Sequence, residues 1–139
     1  MKIVIDANRI FAALIKDSTT RAILYDENFE FITPDFTTTE LNKYKEDVKL
    51  KSKLDDKGFE VLLAIVFDQI IIVPETDYTN IVEKYRSEIK DKKDLPYLAL
   101  CIVSKADGIW THDSNIIEQK IVKVFTNIDM LRMSGQATN

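Results

Sequence analysis

The chain contains very little of the residue types on which several protein classes depend. Its 139 residues include one cysteine, one histidine, three glycines and three prolines. One cysteine excludes an intrachain disulfide framework, and the apolar helical pattern around Cys101 predicts a small buried side chain there. The scarcity of glycine and proline excludes low-complexity and fibrous architectures. These absences leave an ordinary globular protein.

Long apolar runs are also absent. No stretch approaches the roughly 20 apolar residues that a membrane-spanning helix needs, and the N-terminus leads into a strand without the pattern of a secretory signal. We therefore expect a cytoplasmic protein with no membrane partner, and the lone cysteine fits a reducing compartment. The length predicts a single domain over residues 1–139.

An excess of positive charge is missing as well. The chain has 19 Lys and Arg against 23 Asp and Glu, a net charge of −4. This balance argues against a strongly basic protein that coats nucleic acid. It does not argue against an enzyme that holds a phosphodiester through metal ions, because bound divalent cations reverse the field of the carboxylates around them.

Short apolar runs alternate with helical patterns along the whole chain. Apolar residues at helical spacing fill the intervals between the runs. Because strands that are apolar on both faces alternate with helices, the pattern predicts a parallel sheet between helical layers, a three-layer α/β/α sandwich. Residues 45–60 match no recognisable feature, and we interpret them as a lid-like helical hairpin. The predicted strands are residues 3–5, 29–33, 70–74, 108–110 and 121–125.

Four acids lie where such a fold would gather them at one edge. Asp6 ends the first strand, Asp113 follows the strand at 108–110, and Glu40 and Asp94 lie early in helices. Ligand sites in parallel sheets form beyond the carboxyl ends of the strands. Carboxylates crowded there repel one another unless some are protonated or a cation lies between them, and hard oxygen ligands suit Mg²⁺ or Mn²⁺.

Each acid also has a purely structural interpretation as a helix cap. Asp6, Asp94 and Asp113 stand where an N-cap is expected, and Thr37 with Glu40 has the form of a capping box. The two interpretations are compatible, because helices in this architecture begin at the edge of the sheet where a ligand would bind.

The order of these elements resembles the PIN domain family, whose members are metal-dependent nucleases. The matching elements are Asp6-Ala7-Asn8, Glu40, Asp94 and Thr111-His112-Asp113. The segment DLPYLALCIVSKADGIWTHD, residues 94–113, is the most specific part, and the resemblance covers roughly residues 1–130. Many relatives carry a further acid shortly after the last aspartate, whereas this chain has Asn115, so the resemblance does not extend to a second metal position.

The resemblance implies a Mg²⁺- or Mn²⁺-dependent endoribonuclease acting on single-stranded RNA, similar to the VapC-like toxins of toxin–antitoxin pairs. An antitoxin protein is then an expected partner. We expect Asp6 and Asp113 to be direct metal ligands and Asp94 to bind the metal directly or through water. Glu40 would orient or deprotonate the attacking water. Asn8 and Thr111 would hydrogen-bond the ligating carboxylates.

Several other charged residues lie near these motifs. Arg9 and Lys43, like Lys92 and Lys93, flank the proposed ligands and would steer a phosphate backbone if they are not simply solvated charges. His112 lies between two motif residues and should point to the opposite side, so we interpret it as a bystander. Asp107, before Gly108, is interpreted as a turn residue that ends a helix.

The sequence is also compatible with two other functions, and it predicts a homodimer. A PIN-like module could bind RNA or a protein without hydrolysing anything, although the complete set of acids favours an enzyme. A phosphatase of the haloacid-dehalogenase type needs D-x-D after the first strand, and Asn8 occupies the second of those positions. Residues 59–73 are more apolar than one small domain needs, which predicts a homodimer.

Overall fold

The computed structural model of the chain describes residues 1–16 and 18–138, with side chains as far as Gly135. Five strands form one sheet in the order β3-β2-β1-β4-β5, and every neighbouring pair is parallel. The first strand is therefore central, with two strands on either side. The strands are β1 (Lys2–Ile5), β2 (Glu30–Pro34), β3 (Ile70–Val73), β4 (Gly108–Trp110) and β5 (Val124–Phe125).

Helices cover both faces of this sheet. The first group packs on one face together with Ile3 and Ile5, and the second packs on the other face together with Val4. This alternation along β1 is the period-two pattern of a strand buried on both sides. The first group is α1 (Ala7–Ile15), α2 (Ser18–Leu24), α3 (Phe36–Ser52), α4 (Asp56–Asp68) and α8 (Asn127–Thr138); the second is α5 (Thr79–Lys84), α6 (Leu95–Ser104) and α7 (Ser114–Glu118).

The predicted three-layer sandwich with a central parallel sheet is thus confirmed. Short 3₁₀ turns at Glu75–Asp77, Arg86–Glu88 and Lys92–Asp94 complete the connections after β3. Cys101 is buried in α6, as predicted. Within residues 1–16 and 18–138, no helix is long and apolar enough to cross a bilayer.

Residues 45–60 form a helical hairpin, as predicted, from the end of α3 and the start of α4. The hairpin is not a lid, because Val48 and Phe59 are buried in the core. Three residues join the two helices, and the side chain of Asp55 caps α4 by accepting a hydrogen bond from Gly58 N–H at 2.7 Å. Two ion pairs link the helices, each with a nitrogen–oxygen distance of 2.8 Å: Lys45 with Glu60, and Lys49 with Asp56.

The last strand is shorter than predicted. Residues 121 and 122 form a bend, and β5 begins only at Val124. The amide of Gln119 explains the difference, because its oxygen accepts from the N–H groups of Ile121 and Val122 at 2.8 and 3.0 Å. Those backbone donors are satisfied by a side chain and take no part in the sheet.

Candidate functional site

A cavity of about 520 Å³ opens at the carboxyl edge of the sheet, beside the ends of β1 and β4. All four acids singled out in the sequence line it. We call it the acid cavity. Its walls come from α1, α3, the turn before α6, and the start of α7. The lining includes Asp6, Asn8, Phe11, Phe36, Glu40, Tyr44, Asp47, Lys51, Asp91, Lys93, Asp94, Tyr97 and Asp113.

Asp6 is the most deeply placed of the four acids, with 3% of its surface exposed. Thr111 donates its hydroxyl hydrogen to Oδ2 of Asp6, and the backbone N–H of Arg9 donates to Oδ1 at 2.9 Å. Burial raises the pKa of Asp6 to about 6, against the lowering effect of these two hydrogen bonds. The predicted cap is confirmed, and the same carboxylate lines the cavity.

Thr111 connects the ends of two neighbouring strands. Its buried hydroxyl donates to Asp6 after β1 and accepts from the backbone N–H of Asp113 at 3.0 Å. Asp113 in turn caps α7, where its Oδ1 accepts from Asn115 N–H at 2.8 Å. One threonine therefore holds two of the acids in fixed relation to each other.

Asp94 differs from the other two aspartates because its side chain caps nothing. It stands at the N-cap position of α6 but makes no capping hydrogen bond, so the cap interpretation was wrong here. It is 7% exposed, and its Oδ2 is buried without a hydrogen-bond partner in the part of the chain that the structure describes. Burial, then the charges of Asp113, Asp91 and Asp6, raise the pKa of Asp94 to about 7.

This donor set fits a hard divalent cation chemically. A buried carboxylate oxygen without a partner costs free energy, and a cation would supply the missing interaction and relieve the repulsion that raises the pKa of Asp94. Among the described residues, however, no three His, Cys, Asp or Glu side chains are arranged to hold a metal ion as they stand. A cation at this edge would therefore have fewer than three carboxylate ligands in the arrangement shown, with water or substrate oxygens completing its coordination.

Glu40 approaches the cavity from α3. The predicted capping box is wrong, because α3 already begins at Phe36 and Asp35 occupies its N-cap position. The hydroxyl of Thr37 instead bonds those of Thr33 and Tyr97, at 2.7 and 3.0 Å. Glu40 is half-buried on the next turn and lines the cavity. Its carboxylate is therefore available to the site.

The predicted accessory residues lie in different places. Asn8 is exposed at the cavity wall, and its side chain makes no hydrogen bond within the described residues. Arg9 lies outside the lining, and its Nη1 donates to Asn127 Oδ1 at 3.5 Å. Its charge nevertheless lowers the pKa of Asp6. Lys43 also lies outside the lining, with its Nζ 5.3 Å from the ring centroid of Tyr44, a residue of the cavity wall.

The two predicted bystanders have structural contacts. The Nε2 atom of His112 accepts from the backbone N–H of Asn127 at 3.0 Å, near the start of α8. Asp107 accepts from the backbone N–H of Lys2 at 2.9 Å, which ties the turn after α6 to β1. Neither residue is part of the cavity lining.

Sequence reasoning missed an entire stripe of α3. Residues 36, 40, 44, 47 and 51 recur every three or four positions, so they share the face of the helix that lines the cavity. This helical spacing is visible in the sequence, but Glu40 is the only one of the five residues that belongs to a recognised motif. The aromatic ring of Tyr44 and the charged side chain of Lys51 were therefore not predicted, nor was the ring of Phe11, which lines the cavity from α1.

Comparisons with known proteins agree with this architecture. Residues 4–128 match the family described as the PIN domain. No curated protein matches the chain. The chain is similar in structure to VapBC2 from Rickettsia felis, solved bound to a DNA fragment from their promoter, with a TM-score of 0.70 and 17% sequence identity. The similarity covers 91% of this chain and 98% of the other, and at this identity it concerns the fold.

Proposed function

Because the chain belongs to the PIN domain family, we propose that it is a Mg²⁺- or Mn²⁺-dependent endoribonuclease that hydrolyses phosphodiester bonds of single-stranded RNA. The observation that carries the proposal is Asp94. Its carboxylate is buried, its Oδ2 has no hydrogen-bond partner within the described residues, and it lies in the field of Asp113 and Asp6. Stability alone does not account for such a group, whereas a cation site does.

The proposed roles follow from position. Asp6, Asp94 and Asp113 would hold the cation, and Thr111 would keep two of them in register. A bound divalent cation polarises a phosphate oxygen and makes hydroxide available near neutral pH. Glu40, half-buried on the facing wall, would orient the attacking water and take its proton.

Three further residues have proposed supporting roles. Asn8 would hydrogen-bond a ligating carboxylate from the cavity wall, where its amide is exposed. Arg9 would stabilise the ionised form of Asp6, and Lys43 would contact the RNA backbone. The chain would thus provide the cation ligands as well as the side chains that position those ligands.

Two observations support the proposed protein partners: the structural neighbour and the exposed apolar surface. That neighbour is a VapBC2 assembly, which supports a toxin with its own antitoxin protein. The cytoplasmic location stays a prediction from the sequence. A homodimer is supported by exposed apolar side chains on α4 and on β3, which lies at the edge of the sheet. These side chains are Val61, Ile65, Ile71 and Ile72.

The test is incubation of the purified chain with single-stranded RNA. We expect cleavage with Mg²⁺ or Mn²⁺ and none in excess EDTA, because the proposed hydrolysis depends on the cation. Asp6→Asn should abolish cleavage. Asp107→Asn is the matched control, since it changes an acid outside the cavity and keeps the oxygen that accepts from Lys2. Undiminished cleavage in EDTA would refute the mechanism.

A second candidate function is binding of RNA without hydrolysis. One observation favours it: in the arrangement shown, no three acids of the described residues are positioned to hold a metal ion. Saturable RNA binding with intact RNA recovered under all metal conditions would select this candidate over the nuclease.

A further inference from the structure

We propose that Tyr44, supported by Phe11, stacks an unpaired nucleobase of the RNA whose phosphate lies at the acid cavity. These two residues form what we call the aromatic wall. The inference rests on the proposed function and deepens it, because it names a residue that selects single-stranded RNA at the same site.

The aromatic wall is part of the acid cavity. Tyr44 lies on the same face of α3 as Glu40 and one turn further along, about 6 Å along the helix axis. Phe11 reaches the same place from α1, with its ring centroid 6.1 Å from that of Tyr44 and an angle of 69° between the ring planes. Phe11 therefore supports the ring of Tyr44 edge to face, while 39% of Tyr44 stays exposed.

Positive charge accompanies the aromatic wall. The Nζ atom of Lys43 lies over the ring of Tyr44, 5.3 Å from its centroid, and this long side chain would move aside for a base that stacks on the same face. Lys51 and Lys93 line the same cavity, and Lys51 pairs with Asp47 at 3.0 Å. An aromatic ring beside cations is the combination that holds single-stranded nucleic acid, with the base on the ring and the backbone on the cations.

Stacking on Tyr44 has a consequence for the substrate. A base can lie on the ring only if it has left its own helical stack, so duplex RNA cannot use the contact. The phosphate adjoining that base would then lie toward Glu40 and the three aspartates. The aromatic wall would thus account for the proposed preference for unpaired RNA, which the acids alone do not explain.

The experiment measures binding separately from cleavage. Glu40→Gln is the parent protein, because it retains the proposed cation ligands, and Ca²⁺ is the cation. The probe is a short single-stranded oligoribonucleotide carrying 2-aminopurine, whose fluorescence reports stacking, with anisotropy giving Kd. The variants are Tyr44→Leu, which keeps apolar bulk against Phe11, and Tyr44→Phe, which keeps the ring. Tyr25→Leu is the matched control, because Tyr25 is 40% exposed and lies outside the cavity.

We expect Tyr44→Leu to weaken binding at least about fivefold and to abolish the fluorescence change. Tyr44→Phe and Tyr25→Leu should stay within about twofold of the parent, and duplex RNA should bind without regard to residue 44. Thermal melts of all variants check the fold.

Parent-like binding by Tyr44→Leu, or an equal loss with Tyr25→Leu, would overturn the inference. If Tyr44→Leu in the otherwise native chain still cleaves single-stranded RNA normally and its binding is unchanged, only the inference falls. If the native chain neither binds nor cleaves single-stranded RNA, the proposed function falls as well.

Discussion

Acidic side chains occur in two regions of this molecule under opposite conditions. On the α3–α4 hairpin, Glu60 and Asp56 are exposed and each faces a lysine at 2.8 Å. In the acid cavity, Asp6 and Asp94 are buried with pKa values raised to about 6 and about 7. The pKa of Asp56 is lowered, chiefly by its hydrogen bond to Lys49.

This difference separates acids that solvate a surface from acids arranged for a ligand. Exposed ion pairs contribute little to stability and satisfy their own charges. Buried carboxylates that repel one another are costly in the absence of a cation, and a protein that keeps them has stability to gain from binding one. A substitution in one region can therefore be compared with a matched substitution in the other.

The largest difference is expected in catalysis. Asp94→Asn should lower RNA cleavage by more than about a hundredfold, because even the loss of a group that only supports a metal ligand costs 10- to 100-fold. Glu60→Gln should leave the rate unchanged, since Glu60 lies outside the cavity. Single-turnover cleavage with Mn²⁺ measures both variants. Similar losses in the two would show that the effect comes from the fold and not from the cavity.

The second difference concerns stabilisation by metal. Mn²⁺ bound only by the folded chain should add roughly 2.7 kcal/mol to the free energy of unfolding at a hundredfold excess over Kd. Asp113→Asn keeps a good helix cap but removes a charge that raises the pKa of Asp94. The melting temperature of the metal-free variant should therefore match or exceed that of the native chain, and its rise with Mn²⁺ should be smaller.

Thermal melts in EDTA and in Mn²⁺ measure both effects. Asp56→Asn is the control, because its hairpin position predicts an unaltered response to metal. A full metal response in Asp113→Asn would mean that Asp113 is a helix cap and not a ligand.

The fold and the four acids were predictable because both follow from local pattern. The alternation along β1 places Ile3 and Ile5 on one face and Val4 on the other, and Asp6 follows directly at the strand's end. The parallel sheet brings its carboxyl ends together, so Asp6 and Asp113 beyond strand ends can be placed at one edge without knowledge of their contacts. Glu40 and Asp94 follow because the helices that carry them begin at the same edge.

The remaining features depend on contacts between distant residues. Tyr44 joins the cavity because α3 packs beside α1 and Phe11 meets its ring. The N-cap position of Asp94 was correct, yet its side chain does not cap, and only the structure shows its buried Oδ2 without a partner among the described residues. The length of β5 depended on the side chain of Gln119, for which the strand pattern carries no signal.

The last difference concerns how stability depends on pH without metal. Asp94 has a pKa of about 7 in the folded chain, above its ordinary value of 3.8, so the folded state binds more protons between these values. The free energy of unfolding should therefore fall as the pH rises from about 4 to about 7, by at most about 1.4 kcal/mol per pH unit for this group. Asp94→Asn should make that decline shallower, leaving the part that comes from the raised pKa of Asp6. Asp56 has the opposite sign, because its lowered pKa gives stability that is lost as the pH falls, and Asp56→Asn should change the slope of the curve only at its acidic end. Urea unfolding of the three proteins in EDTA, from pH 4 to pH 8, measures these slopes. If stability declines with pH in Asp94→Asn as steeply as in the native chain, the pKa of Asp94 is not raised in the folded state.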